Sequence, residues 1–109
     1  MQAGDFQEAM RRFQQEFASQ LPARLLEARQ LLAACRQAPA DDDRLRELHR
    51  CVHKLAGTAG TFGMPEVSRD ARAIEDDLDQ LLLRPGRNAA AFDAAGGMLD
   101  ALARRAPAP

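Results

Sequence analysis

The chain has 109 residues, 46% of them apolar and 28% charged, the profile of one ordinary globular domain rather than of a disordered segment. With 15 basic against 16 acidic residues the net charge is -1, so the basic excess of a nucleic-acid binder is missing. No apolar run approaches the roughly 20 residues of a membrane span, and residues 1–12 lack the apolar centre of a signal peptide, which favours the cytoplasm; neither nucleic acid nor membrane is expected as a partner, and the chain is expected to be a monomer.

Alanine, leucine, arginine, glutamine and glutamate dominate, and Tyr and Trp are absent. Those are helix formers, and the β-branched and aromatic residues of strands are scarce. Five amphipathic stretches follow one another. The first carries Phe6, Met10, Phe13 and Phe17, spaced as one helical face requires. Pro22 suits the first position of a new helix, and a second stretch carries Leu25, Ala28, Leu32 and Cys35 until Gln37-Ala38-Pro39-Ala40 breaks it. Asp41, Asp42 and Asp43 offer an N-cap and negative charge at the start of the third, which runs to about Phe62. Gly63 and Pro65 are its stop signals. The fourth carries Val67, Ala71, Ile74, Leu78 and Leu81 and ends at Arg84-Pro85-Gly86. Asn88 can cap the fifth, whose apolar face is Phe92, Ala95, Leu99 and Leu102. Short connections between long helices imply antiparallel neighbours. The expected fold is all-α: an up-down-up-down four-helix bundle, with an additional short N-terminal helix packed across an end or side. Residues 1–105 form the domain, and 106–109 an Ala/Pro tail or linker. Cys35 and Cys51 lie in apolar patterns without a CxxC and are expected as two reduced, buried thiols.

The third stretch carries the chemistry. On a wheel of 100° per residue, Leu48, Val52, Leu55, Ala59 and Phe62 share one arc, and His53 lies well over 100° from its centre. His53 should therefore be exposed, whereas His49 falls nearer the flank of the core, where a buried structural histidine is the expectation. Gly57 and Gly60 fall within roughly 40° of His53. A mid-helix glycine costs about 1 kcal/mol relative to alanine. Two of them on a solvent face have no packing reason within the chain, and make sense if another molecule must come close to His53. Arg46, Arg50 and Lys54 flank the histidine on the exposed side, and residues 44–54 hold four cations and one acid. Residues 66–79 hold six acids and two arginines. Cations beside an imidazole suit a phosphoryl group or an acidic partner.

The segment His53-Lys54-Leu55-Ala56-Gly57-Thr58-Ala59-Gly60-Thr61-Phe62-Gly63 resembles the signature of histidine-containing phosphotransfer domains. That family shows a histidine, a leucine two residues on, a glycine at four and another at ten, which Leu55, Gly57 and Gly63 match. The order of helices is also similar to the family's, so the resemblance covers nearly the whole chain. It implies that His53 Nε2 takes a phosphoryl group from an aspartate of a response-regulator receiver domain and passes it to another receiver. It also implies a carrier with no kinase activity and no cofactor of its own, Mg²⁺ belonging to the partner receiver. The surface around His53 that would meet phosphoryl group or receiver comprises Lys54, Arg50, Ala56, Gly57, Gly60, Arg46 and His49. Many members carry lysine where this chain has Ala56, which leaves Arg50 or Lys54 to supply a cation, or none.

Three other readings compete. The phosphate-accepting domain of a chemotaxis-type or hybrid histidine kinase is similar in fold and motif; nothing in this chain resembles an ATP site, so a kinase would be a separate partner. His49 and His53, four apart, have a spacing that can hold a metal on a helix, but Arg46 and Arg50 would repel a cation, and no metal is expected. A structural docking bundle without phosphate chemistry would need the exposed histidine and both glycines to be accidental.

Overall fold

The computed structural model describes residues 3–106. Its helices are α1 (Ala3–Gln37), α2 (Asp42–Thr61), α3 (Pro65–Leu82) and α4 (Asp93–Arg105), with a 3₁₀ turn at Ala89–Phe92 leading into α4. Side-chain pairs fix the directions. His53 meets Glu75 and His49 meets Asp79, so α2 and α3 run antiparallel. Arg29 meets Asp100 and Arg36 meets Asp93, so α1 and α4 do likewise. Helix α1 packs on α2, α2 on α3, α3 on α4, and α4 back on α1, closing the bundle.

The core is the set of apolar faces read from the sequence. Leu25, Ala28, Leu32 and Cys35 of α1, Leu48, Val52, Leu55 and Ala59 of α2, Val67, Ala71, Ile74, Leu78 and Leu81 of α3, and Phe92, Ala95, Leu99 and Leu102 are all buried. Burying one such large aliphatic side chain is worth about 1.5–3 kcal/mol. Phe62 is only half-buried, covered by Phe13 and Phe17 with ring centroids 5.7 and 6.2 Å away.

The expected separate N-terminal helix does not exist as such. Its residues are the first turns of α1, which runs unbroken for 35 residues through Pro22. A proline inside a helix costs about 3 kcal/mol, mostly one lost hydrogen bond and a clash with the preceding turn. Pro22 stands on the solvent side, where water can serve the freed carbonyl. The apolar face runs past it without a phase break, through Phe17, Leu21 and Leu25, all buried. The burial of those side chains outweighs the proline penalty. Ten residues before Phe13 prolong α1 by about 15 Å, and Phe6 on that extension is exposed.

The ends of α2 hold the site in register. Asp41 caps its start, Oδ1 accepting from the backbone N–H of Asp43 and Arg44 at 2.9 and 3.2 Å. Its end is a Schellman motif: Met64 N–H donates to Ala59 O at 2.8 Å, and Gly63 N–H to Gly60 O at 3.4 Å. Gly63 has φ +73°, and a Cβ there would lie 2.6 Å from Gln14 Nε2. The backbone conformation requires glycine, whereas the amide end of the flexible Gln14 side chain can swing aside. Pro65 then opens α3 at a position that needs no N–H donor.

At the opposite end Arg87 is the buried clamp. It donates to the carbonyls of Pro39, Leu81 and Arg84 and to Asp42 Oδ1, tying the α1–α2 loop and the start of α2 to the end of α3. Asn88 caps the 3₁₀ turn, accepting from Ala91 N–H at 3.2 Å. Ala106 leaves α4 with an extended backbone, as the residue before a proline should; the rest of the expected tail, 107–109, lies outside the described residues. No helix among the described residues is long and apolar enough to cross a membrane.

Candidate functional site

His53 projects from the middle of α2 with 71% of its side chain exposed. One partner holds it. Glu75 reaches from α3, and its Oε2 lies 2.5 Å from His53 Nδ1. Glu75 itself is only 17% exposed, so its carboxylate is backed by the helix pair rather than swinging in solvent. A carboxylate only accepts, so the proton of a neutral ring is drawn to Nδ1 and the Nε2 lone pair faces outward. An imidazole nitrogen without a protein partner among the described residues is thereby oriented on a rigid element, the arrangement that a nucleophile requires.

His49 sits one turn earlier, its ring nearly parallel to that of His53 at 6.4 Å between centroids. Its Nε2 is 2.6 Å from Asp79 Oδ1 and 3.7 Å from Glu75 Oε2. The expectation of a buried structural His49 holds in part: only 23% of its side chain is exposed, and its ring ties α2 to α3 at the edge of the core, where Asp79 and Glu75 come alongside it. With its Nε2 engaged, His49 acts as a brace beside His53.

Further along the same helix pair, α2 and α3 are joined through Ser68. Its hydroxyl donates to Ala56 O at 2.9 Å, in a buried position, and accepts from Arg72 Nε at 3.3 Å. Two sequence expectations change here. Ala56 is 2% exposed, so its side chain belongs to the core and offers no surface to a phosphoryl group or a receiver. Gly60 does have a packing reason within the chain: a Cβ there would stand 3.2 Å from Ser68 Oγ. The wheel shows only which way Gly60 faces; that α3 presents Ser68 to it depends on inter-helix register. Gly57 keeps its expected character, with nothing within 4 Å of a Cβ built on it.

Arg46, Arg50 and Lys54 are exposed on α2 and form no ion pair among the described residues. The acidic run of α3 divides by role: Glu75 and Asp79 face the two histidines, while Asp70 pairs with Arg105 of α4 at 2.8 Å. Sequence reasoning missed Glu75, Asp79, Ser68 and Arg72. One signal was present, since Glu75 and Asp79 have the same four-residue spacing as His49 and His53 and match them rung for rung in an antiparallel pair.

The histidine on a helical bundle, with Gly63 ending its helix, has a counterpart among known families. The profile described as Hpt domain matches residues 5–105. The chain belongs to the Hpt domain family. No curated protein and no solved structure matches it. Hpt domains serve histidine phosphotransfer in phosphorelays, as carriers of the phosphoryl group and in contact with receiver domains and kinases. In this Hpt domain the family match spans the whole bundle, from the first turns of α1 to the end of α4.

Proposed function

We propose that this domain accepts a phosphoryl group on His53 Nε2 from the aspartate of a response-regulator receiver and passes it to a second receiver. The observation that carries the reading is the contact of Glu75 with His53 Nδ1, which leaves the far nitrogen of an exposed ring free. In the forward step the Nε2 lone pair attacks phosphorus in line. The Nε2–P bond forms, the P–O bond of the acyl phosphate breaks, and its electron pair returns to the receiver's carboxylate. The phosphorylated ring keeps its proton on Nδ1, and Glu75 balances the positive charge that the ring then carries. Passage to the next receiver is the same step reversed. Such transfer asks mainly for positioning and charge stabilisation, so a sparse site suffices. Mg²⁺ belongs to the receiver's acidic pocket in this reading, and the domain works as a cytoplasmic monomer without kinase activity.

The test is incubation with receiver domains loaded with acetyl phosphate, followed by mapping of the label. The wild-type chain should yield an acid-labile, base-stable phosphoprotein. His53→Gln should abolish the label and His49→Gln should leave most of it. Label on His49, or none on the wild type from any receiver, would overturn the reading.

A further inference from the structure

Gly60 points nearly the same way from α2 as His53, within roughly 20° on the helical wheel, and lies seven residues or about 10 Å further along the axis. What occupies the space above it comes from α3. Arg72 Nη2 lies 4.0 Å from where a Gly60 Cβ would be, so the guanidinium rests over bare backbone on the strip that His53 begins. Between the two stands Gly57, with open space above it. The strip thus reads nucleophile, clear floor, cation.

Arg72 is held, yet not neutralised. Its Nε donates to Ser68 Oγ, and that hydroxyl is fixed in turn by its buried bond to Ala56 O. Neither terminal nitrogen has a protein partner among the described residues, and Asp76, four residues on and lining the same groove, forms no ion pair with it. Glu75 and Asp79, the acids nearest the histidines, are taken up by those rings. A guanidinium fixed at Nε with both Nη groups open is pre-organised for a bidentate oxyanion. A protein that delivers a phosphoryl group from an aspartate to His53 must cover the Gly57 floor and brings carboxylate and phosphoryl oxygens with it.

We infer that Arg72, seated by Ser68 over Gly60, is the docking cation for the receiver, pairing with a carboxylate at the edge of its acidic pocket. The assignment rests on the phosphotransfer reading of His53 and names a contact within it. Arg72 is a positioning residue here, since it sets where the receiver sits and leaves the nucleophile untouched.

The experiment compares wild type, Arg72→Ala and Arg72→Lys with two donors: phosphoramidate, a small molecule that needs no docking, and receiver domains loaded with acetyl phosphate. Phosphoramidate should label His53 in all three chains within twofold. Transfer from the receiver should fall about tenfold in Arg72→Ala at low salt, and Arg72→Lys should recover part of it. Raising the salt to about 0.5 M, where the Debye length is only a few ångströms, should shrink the gap between wild type and Arg72→Ala. Receiver transfer within twofold of wild type in Arg72→Ala would overturn the assignment while leaving His53 as acceptor. A defect that persists undiminished at high salt, or that extends to phosphoramidate, would show a packing role and overturn it too. A wild-type chain that takes label from phosphoramidate but from no receiver would remove the phosphotransfer reading and this contact with it.

Discussion

Glu75 Oε2 and His53 Nδ1 lie 2.5 Å apart, joining α3 to α2 at one ring nitrogen and leaving Nε2, the proposed phosphoryl acceptor, on the other side of the ring. Removing the carboxylate should free the ring to rotate and leave a charged phospho-imidazole unbalanced. Glu75→Ala is expected to slow transfer to and from His53 by about tenfold or more, the equivalent of about 1.4 kcal/mol of transition-state stabilisation. Glu75→Gln keeps an acceptor without the charge and should fall between. Single-turnover transfer rates check this, with labelling still confined to His53.

The two glycines near His53 should answer differently to the same substitution. Gly57→Ala adds a methyl into open space and should stabilise the domain by about 0.5–1 kcal/mol. Gly60→Ala gains the same propensity but drives its Cβ against Ser68 Oγ at 3.2 Å. Ser68 is 6% exposed and bonded to Ala56 O, so it has little freedom to yield. Gly60→Ala should show no net gain, and Gly60→Gln a lower melting temperature. Gly57→Gln should leave melting intact and obstruct receiver transfer, because the obstruction lies outside the fold.

Arg87 ties three carbonyls and a carboxylate from separate elements. Arg87→Ala takes the guanidinium donor from the carbonyls of Pro39 and Arg84, while Leu81 O keeps the Arg84 N–H, and is expected to cost about 2–3 kcal/mol, read as a shift in the denaturation midpoint. The same clamp predicts an acid dependence. The hydrogen bond from Arg87, helped by the charges of Arg87 and Arg46, holds the Asp42 carboxyl below its ordinary 3.8 despite some desolvation. The unfolded chain then binds the proton first as pH falls. The contribution is present in full above the unfolded value and is lost as pH drops through the folded one. Melting curves of wild type and Asp42→Asn should therefore differ at neutral pH and converge in acid below 3.8.

The thiols should be inert. Burial pushes both Cys35 and Cys51 above the ordinary 9.0, so little thiolate exists at neutral pH. A thiol reagent such as dithionitrobenzoate should react slowly with half-buried Cys51 and only on unfolding with Cys35. Rapid labelling of both in the native state would contradict this packing.

Local pattern by itself determined the helices, the faces they bury and the exposure of His53, because the 3.6-residue period is a property of one segment and needs no knowledge of its neighbours. It also placed Gly63 at the end of α2, where the structure finds the positive φ that suits glycine. The tertiary structure decided what depends on two segments at once. Pro22 stays within one helix because burial on either side of it outweighs a local penalty. Gly60 is tied to Ser68, Ala56 is sealed into the core, and Glu75 comes to rest on His53 because α3 packs against α2 in one register. That register is set by the interlocking of side chains from both helices and by the short turn at Gly63 and Met64. A wheel drawn for one helix gives the direction of each side chain, and the partner it meets follows only when the second helix is in place.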